Sequence, residues 1–471
     1  MCFAVIALAL LPPLPATADQ DLNDLLRRHF TAKTTAERVT VLKEILAVEG
    51  LTPARLAEAI KRLKLWKKPQ TGEYETSLRL RKAKGSEMAL WVRVPETYDP
   101  DKAWPLVIAL HGQGGKAEHM LRLTAQLLGS AANQFIIAAP QDLGPLGLTQ
   151  PPDIVSRPRY LLVALRHTFH VDSDRVYLMG YSQGSHDAWM AAVMYPDCWA
   201  GIVPLATNLQ LVGGDLLYEE VLPNTQNLAI LFCWGRGDTL TAEGKPHPTG
   251  GNAAACRQMS AVIGALGFKH FEAVELEGVG HLGVEPPADR LAALLSQQRL
   301  HYPNHVRQTF RLPDQSDAYW IGAEELQGEP LPDGVLSIPV PSDEDPQTVK
   351  RKWLTDRLGL VEGDCRSQSI NIVARRTPRV VLSLSDELLD LDKPVKIMRG
   401  KKKLFEGKIE RDMAVMLTEA ARGWDFARLP VARAVVPLGG KVKYGYPAAD
   451  KLPKKSRPDR KDQGKDQDKD K

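Results

Sequence analysis

The sequence predicts an α/β protein: a mostly parallel sheet with helices on both faces, preceded by a helical segment and followed by a mainly β domain. Three observations predict it. From about residue 77 to residue 301, short apolar runs alternate with helical stretches. Those runs are nearly continuous in apolar residues, as strands covered on both faces must be. On either side the pattern changes, to amphipathic helical spacing before and to turn-rich, short-strand sequence after.

The bulk numbers are compatible with this. A chain of 471 residues can bury a large core and holds more than one domain. Its 44% hydrophobic and 25% charged residues are ordinary for a globular protein. The net charge of +4 is small, and much of it lies in the C-terminal tail. A near-neutral folded body argues against a dedicated nucleic-acid binder.

Residues 1–18 read as an export signal. Phe3 to Leu11 is an apolar run too short to span a bilayer, and Ala16-Thr17-Ala18 supplies small residues before Asp19. One departure is that no Lys or Arg precedes the run. No other segment resembles a membrane span. The expected location is periplasmic or extracellular. Cys198, Cys233, Cys256 and Cys365 lack metal-ligand spacing. A disulfide among them and four buried thiols are both open readings.

Residues 19–76 form the helical segment. Leu22, Leu25, Leu26 and Phe30 fall on one face, as do Val39, Leu42, Ile45 and Leu46, and Thr52-Pro53 opens a third helix. Residues 77–306 form the α/β domain. Its strands are expected at Met88–Val94, Leu106–Leu110, Phe135–Ala139, Val176–Met179, Gly201–Pro204, Leu228–Phe232 and Phe271–Leu276. Its helices are expected at Ala117–Leu128, Arg159–Thr168, Ser185–Met194, Ala254–Leu266 and Ala288–Gln298. Residues 307–449 read as the mainly β domain. Strands are expected at Val380–Leu384, Val395–Met398 and Leu404–Ile409, a hairpin tip at Gly400–Lys403 and a helix at Asp412–Arg422. Residues 450–471 are a Lys/Asp tail expected to be disordered.

Gly180-Tyr181-Ser182-Gln183-Gly184 fits Gly-x-Ser-x-Gly and lies between an apolar strand and a helix. In that setting a tight turn exposes the serine hydroxyl, and small residues are needed where strand and helix crowd. A serine attacks only when a base takes its proton and a third group orients that base. On open α/β sheets such groups sit after the carboxyl ends of strands. Asp238, in Gly235-Arg236-Gly237-Asp238, and His281, in Gly278-Val279-Gly280-His281, both meet that condition. Asp215 and Asp187 are rival acids, although Asp187 is expected to point elsewhere from its helix. His167, His170, His186 and His270 read as surface or packing residues, and His247 as a substrate-contact candidate. After Leu106–Leu110 comes His111-Gly112-Gln113-Gly114-Gly115, whose glycines let backbone approach a bound carbonyl. The oxyanion donors are then the N–H groups of Gln183 and Gln113, with Gly114 a rival for the second. His111 reads as closing this loop.

Together these motifs resemble the α/β-hydrolase superfamily over roughly residues 85–300, and within it the phospholipase/carboxylesterase and secreted depolymerase-like esterases. The resemblance implies Ser182 as nucleophile, His281 as base, Asp238 as orienting acid, and Gln183 and Gln113 as oxyanion donors. Ser185 departs from it, since relatives often carry glycine there. The implied activity is serine-dependent hydrolysis of carboxylic esters, small or polymeric, with no metal or organic cofactor and no nucleic-acid partner. Gln141–Asp153 and Thr239–Asn252 are the expected substrate-framing loops, though no individual substrate-binding residue is identified. The alternative is an inactive hydrolase-fold protein used for binding or scaffolding.

Overall fold

The computed structural model describes residues 16–80, 87–144, 146–212, 214–240, 245–334, 336–439 and 442–444. Most of the expected export signal and the whole charged tail lie outside the described residues. The chain enters through α1 (Ala16–Thr31), α2 (Thr35–Leu46) and α3 (Pro53–Lys61). Thr34 and Thr52 cap α2 and α3, accepting from the amides of Glu37 at 3.1 Å and Arg55 at 3.2 Å.

An eight-stranded sheet follows: β1 (Gly72–Arg79), β2 (Glu87–Val94), β3 (Trp104–Leu110), β4 (Ile136–Pro140), β5 (Val171–Tyr181), β6 (Gly201–Leu205), β7 (Ala229–Gly235) and β8 (Phe271–Leu276). Its spatial order is β1-β2-β4-β3-β5-β6-β7-β8. The β1–β2 and β2–β4 pairs are antiparallel and the rest are parallel. All seven strands expected in this region are present. β1 is an addition. Its Gly-Glu-Tyr-Glu-Thr-Ser-Leu-Arg sequence alternates half-buried and exposed positions at the sheet edge, so it offers no apolar run.

The connecting helices are α4 (Ala117–Leu128), the one-turn α5 (Pro152–Val155), α6 (Arg157–Thr168), α7 (Gln183–Met194), the one-turn α8 (Tyr218–Val221), α9 (Gly251–Ala265) and α10 (Ala288–Leu295). Alternate strand residues feed two cores. Val107, Ile137, Met179, Val203 and Leu231 pack under α4 and α10, through Leu121 and Leu291. Leu106, Ile108, Ile136, Leu178, Ile202 and Phe232 pack under α6, α7 and α9, through Leu165, Trp189 and Met259. The period of two along each strand therefore covers both faces, which is why the strands are apolar throughout.

The C-terminal unit contains β9 (His305–Phe310), β10 (Ile321–Ala323), α11 (Pro346–Thr355), β11 (Gly359–Arg366), β12 (Ser369–Arg375), β13 (Arg379–Leu384), β14 (Val395–Arg399), β15 (Lys402–Gly407), α12 (Met413–Gly423), β16 (Ala432–Pro437) and β17 (Lys443–Tyr444). It forms two sheets, ordered β15-β14-β12-β11-β9 and β10-β13-β16-β17. Gly400 and Lys401 make the tip between Arg399 and its partner Lys402. The helices α1–α3 share this unit's core: Leu22, Leu26, Phe30, Ile45, Leu56 and Ile60 pack with Trp320, Val361, Leu417 and Val436. On α2 the buried positions are Val41 and Ile45, while Leu46 is exposed, so the apolar face is rotated from the one its spacing suggested.

The C-terminal unit also holds the end of α7. Gln308 is fully buried, and its Nε2 donates to the carbonyls of Val193 at 3.2 Å, Met194 at 3.4 Å and Gln315 at 2.7 Å. Asn224 Nδ2 donates to Val193 O at 2.9 Å and to Thr309 O at 2.8 Å. These bonds satisfy carbonyls that a helix terminus leaves open. Beside them Arg299 grips Asp425 at 2.6 Å and Asp174 at 3.0 Å. The Arg299 and Arg166 guanidiniums hold the Asp425 carboxyl far below the usual carboxylate range, against the opposing effect of its burial. A cavity of about 680 Å³ opens at this seam, lined by Arg–carboxylate pairs and by none of the proposed site residues. Among the described residues no helix is long and apolar enough to cross a membrane.

Candidate active site

Ser182 sits where β5 ends and α7 begins. Its backbone is left-handed, with φ 55° and ψ −117°, unusual for a residue with a side chain. The turn is held by Ser182 N donating to Leu205 O at 2.9 Å and by the Ser185 and His186 amides donating back to Ser182 O at 2.9 and 3.2 Å. A Cβ at Gly180 would strike the Gly184 carbonyl, and one at Gly184 would strike that of Leu110. The motif's two glycines are therefore steric requirements of this crossing. Ser185 is accommodated: it is fully buried and its hydroxyl donates to Thr207 O at 2.5 Å. The hydroxymethyl group occupies the space beyond β6 and leaves the elbow intact.

The structure brings Ser182, His281 and Asp238 together. Ser182 Oγ–H donates to His281 Nε2 at 2.9 Å, and His281 Nδ1–H donates to Asp238 Oδ2 at 2.7 Å. Asp238 is 6% exposed, whereas the histidine side chain is 37% exposed. The bond to Asp238 raises the His281 pKa above its ordinary 6.5, overcoming the burial that would lower it. The two carrier loops are laced together. Arg236 N donates to Leu276 O at 2.9 Å, and Gly237 N to Val279 O at 2.8 Å. The start of α9 holds Asp238 through its backbone, with Ala253 N donating to Asp238 O at 3.0 Å.

Two further residues belong to this site. Tyr181 Oη–H donates to His281 O at 2.8 Å and accepts from Val284 N at 3.2 Å, so the elbow's own tyrosine pins the histidine loop. Asn252 Nδ2 lies 3.3 Å from His281 Nδ1. The x position of the motif could have drawn attention to Tyr181. Asn252 was legible only as the last residue of the expected framing loop Thr239–Asn252, whereas α9 begins at Gly251 and brings it to the histidine.

The loop after β3 approaches Ser182 from the other side. A Cβ placed on Gly112 would lie 3.1 Å from Ser182 Cβ. Gly115 N donates to Gly112 O at 2.9 Å, closing a turn with Gln113 and Gly114 at its tip. The Gln113 amide is thus the next N–H along the chain from the contact with Ser182. The Gln183 amide is the first of α7, where N–H groups have no intrahelical acceptor and the helix dipole favours negative charge. His111 closes the loop, with Nδ1 2.7 Å from Gly112 O and Nε2 2.7 Å from Gln141 O.

The rivals lie elsewhere. Asp215 receives Gln258 Nε2 on the surface. Asp187 points, as expected, away from His281 and toward the Gln183 side chain. It is 8% exposed and accepts from Gln183 Nε2 at 3.2 Å. Burial raises its carboxyl to about 7. His186 donates to Leu146 O at 2.9 Å and accepts from Gln210 N at 3.0 Å, a packing role. His170 stacks on Trp66 at 3.8 Å and His167 lies 3.7 Å from Trp424. His247 is exposed and bonds Thr249 at 2.9 Å. Cys198, Cys233, Cys256 and Cys365 are all free thiols.

No protein-family model matches the chain. It is similar to NocK of Nocardia uniformis subsp. tsuyamanensis, a protein provisionally named an esterase, with 33% identity over 149 residues. That match takes in 29% of this chain and 40% of NocK, so the chain spans well under half of that relative. Among solved structures, a thermostable esterase overlaps at TM-score 0.35 and 16% identity, over 48% of this chain and 63% of that one. Est1E from Butyrivibrio proteoclasticus overlaps at TM-score 0.33 and 14% identity, over 47% and 96%. Overlaps this loose carry no argument. What identifies the architecture is internal to the molecule: the strand order, the antiparallel start and the serine elbow after β5 are those of the α/β-hydrolase fold.

Proposed function

We propose that this protein is a serine hydrolase that cleaves carboxylic esters through an acyl-enzyme. The carrying observation is the continuous hydrogen-bonded chain from Ser182 through His281 to Asp238, at 2.9 and 2.7 Å, on a backbone strained to present the hydroxyl. His281 takes the Ser182 proton as Oγ bonds to the acyl carbon. The carbonyl oxygen becomes an oxyanion, held by the N–H groups of Gln183, at the start of α7, and of Gln113, in the loop after β3. The carbon–oxygen bond to the alcohol breaks, and His281 returns the proton to that oxygen. Water then repeats the sequence on the acyl-enzyme, freeing the acid and Ser182. Asp238 keeps the histidine proton on Nδ1 throughout and stabilises the imidazolium.

The test is hydrolysis of nitrophenyl acetate together with labelling by a fluorophosphonate. Wild type should turn over the ester and become labelled on Ser182, while Ser182→Ala should do neither and keep its melting temperature. A native wild type that takes no label would favour a binding or scaffolding role instead. We also propose that the protein acts after export, on the strength of the Phe3–Leu11 run and Ala16-Thr17-Ala18. An N-terminal sequence of the mature protein beginning before Ala16 would refute this.

A further inference from the structure

Six large hydrophobic residues are markedly exposed among the described residues: Leu46, Leu240, Leu266, Leu282, Leu300 and Val373. The two most exposed are Leu282, at 79%, and Leu240, at 53%. Both belong to the loops of the proposed site. Leu282 directly follows His281, and Leu240 follows Asp238 by two positions. Single exposed leucines are ordinary on protein surfaces. The two largest exposures falling within two positions of Asp238 and His281 are less so, because each leaves apolar area in water that a bound group could cover.

The reaction geometry says which part of an ester would meet them. The oxyanion lies on the Gln113–Gln183 side of Ser182. The departing alcohol oxygen must lie within reach of His281 Nε2, since that nitrogen returns the proton. The alcohol portion therefore leaves over the His281 side, whose loop carries Leu282 next to the histidine and meets, through Asp238, the loop that carries Leu240. The His281 carbonyl accepts there from Tyr181 Oη–H, and Thr239 O accepts from His247 N at 2.8 Å. We propose that Leu240 and Leu282 form an apolar rim on the leaving-group side of Ser182 and select esters of apolar alcohols. The inference rests on the hydrolase reading above and adds the substrate's alcohol class to it.

The experiment measures kcat/KM for two ester series. One keeps the acetyl group and lengthens the alcohol from methyl to hexyl. The other keeps methanol and lengthens the acyl chain over the same range. A methylene fully removed from water changes binding about fourfold, and one half covered changes it roughly twofold. Wild type should therefore gain roughly two- to fourfold per methylene along the alcohol series until the rim is filled. Leu240→Ser/Leu282→Ser should flatten that slope, and Leu240→Met/Leu282→Met should restore it. Melting temperatures of both variants check that the fold is kept. The proposal is overturned if the alcohol slope is flat in wild type, or if the serine double variant retains it. It is equally overturned if the serine variant flattens only the acyl series, or if the alcohol gain appears only above the solubility limit, which would indicate docking to aggregates. Absence of hydrolysis of every ester, with no fluorophosphonate label, would instead bring down the hydrolase reading and the rim with it.

Discussion

The replacement Asp238→Asn tests the site most sharply, because it changes charge and hydrogen-bond sense without changing size. The 2.7 Å bond from His281 Nδ1–H to Asp238 Oδ2 is charge-assisted once the imidazole is protonated in the reaction. Such bonds contribute about 1.5–3 kcal/mol, so their loss alone costs roughly ten- to a hundredfold in rate. A second effect adds to this. The introduced amide can turn its NH2 toward Nδ1, and Asn252 Nδ2 already lies 3.3 Å from the same atom. Two donors facing Nδ1 favour the tautomer with its proton on Nε2. That proton points at Ser182 Oγ, and the base is lost. The total reduction should reach about 10³–10⁴ in kcat, as expected for a mis-tautomerised triad. The assay is kcat for nitrophenyl acetate, with the rate of fluorophosphonate labelling as a second readout. Adding Asn252→Ala should return about tenfold, since the introduced amide could then present its oxygen to Nδ1–H more freely. A loss below tenfold in Asp238→Asn would refute the assignment of Asp238 as orienting acid.

Other consequences follow from the same geometry. In the proposed mechanism the unprotonated His281 is the base, and its pKa is raised, so activity should be present at high pH and lost as pH falls through a midpoint above 6.5. In Asp238→Asn the residual activity should show that acid limb at lower pH, measured as a kcat/KM profile. The Asp187 carboxyl is raised from 3.8 to about 7, so its stabilising protonated form is fully kept below pH 4 and lost as pH rises through about 7. Wild type should lose up to about 4 kcal/mol relative to Asp187→Asn across that window, at about 1.4 kcal/mol per pH unit, in urea unfolding at pH 4 and pH 8. Gln308→Ala leaves the buried carbonyls of Met194 and Gln315 without their donor, while Val193 keeps Asn224. It should destabilise the protein by about 2–4 kcal/mol in the same unfolding experiment, and an effect under 0.5 kcal/mol would show that the C-terminal unit does not secure α7.

How much was legible in the sequence depends on what each feature needs. The central strands were readable because burial on both faces demands unbroken apolar runs, as in Leu106–Leu110 and Gly201–Pro204. The elbow was readable because the crossing at Gly180 and Gly184 admits no side chain. Ser182, Asp238 and His281 were placed by a topological rule, one group after each of three strands, and the structure joins them within hydrogen-bond distance. The edge strand β1 was not readable, because a half-covered strand looks like loop sequence. Helix α11 was missed as well, since its start at Pro346 follows a proline- and acid-rich stretch that reads as turns.

The sequence by itself determined the fold class, the tight turn at Ser182 and the order of the three side chains along the chain, because each depends on local periodicity or local sterics. Only the tertiary structure decided the rest. Tyr181 meets the histidine carbonyl about a hundred residues away, and Asn252 arrives at His281 from α9. It also decided that α1–α3 complete the core of the C-terminal unit, and that Gln308 from that unit caps α7. Such contacts join segments with no periodic relation to one another. They are set by how layers pack, and packing is a property of the whole chain rather than of any stretch of it.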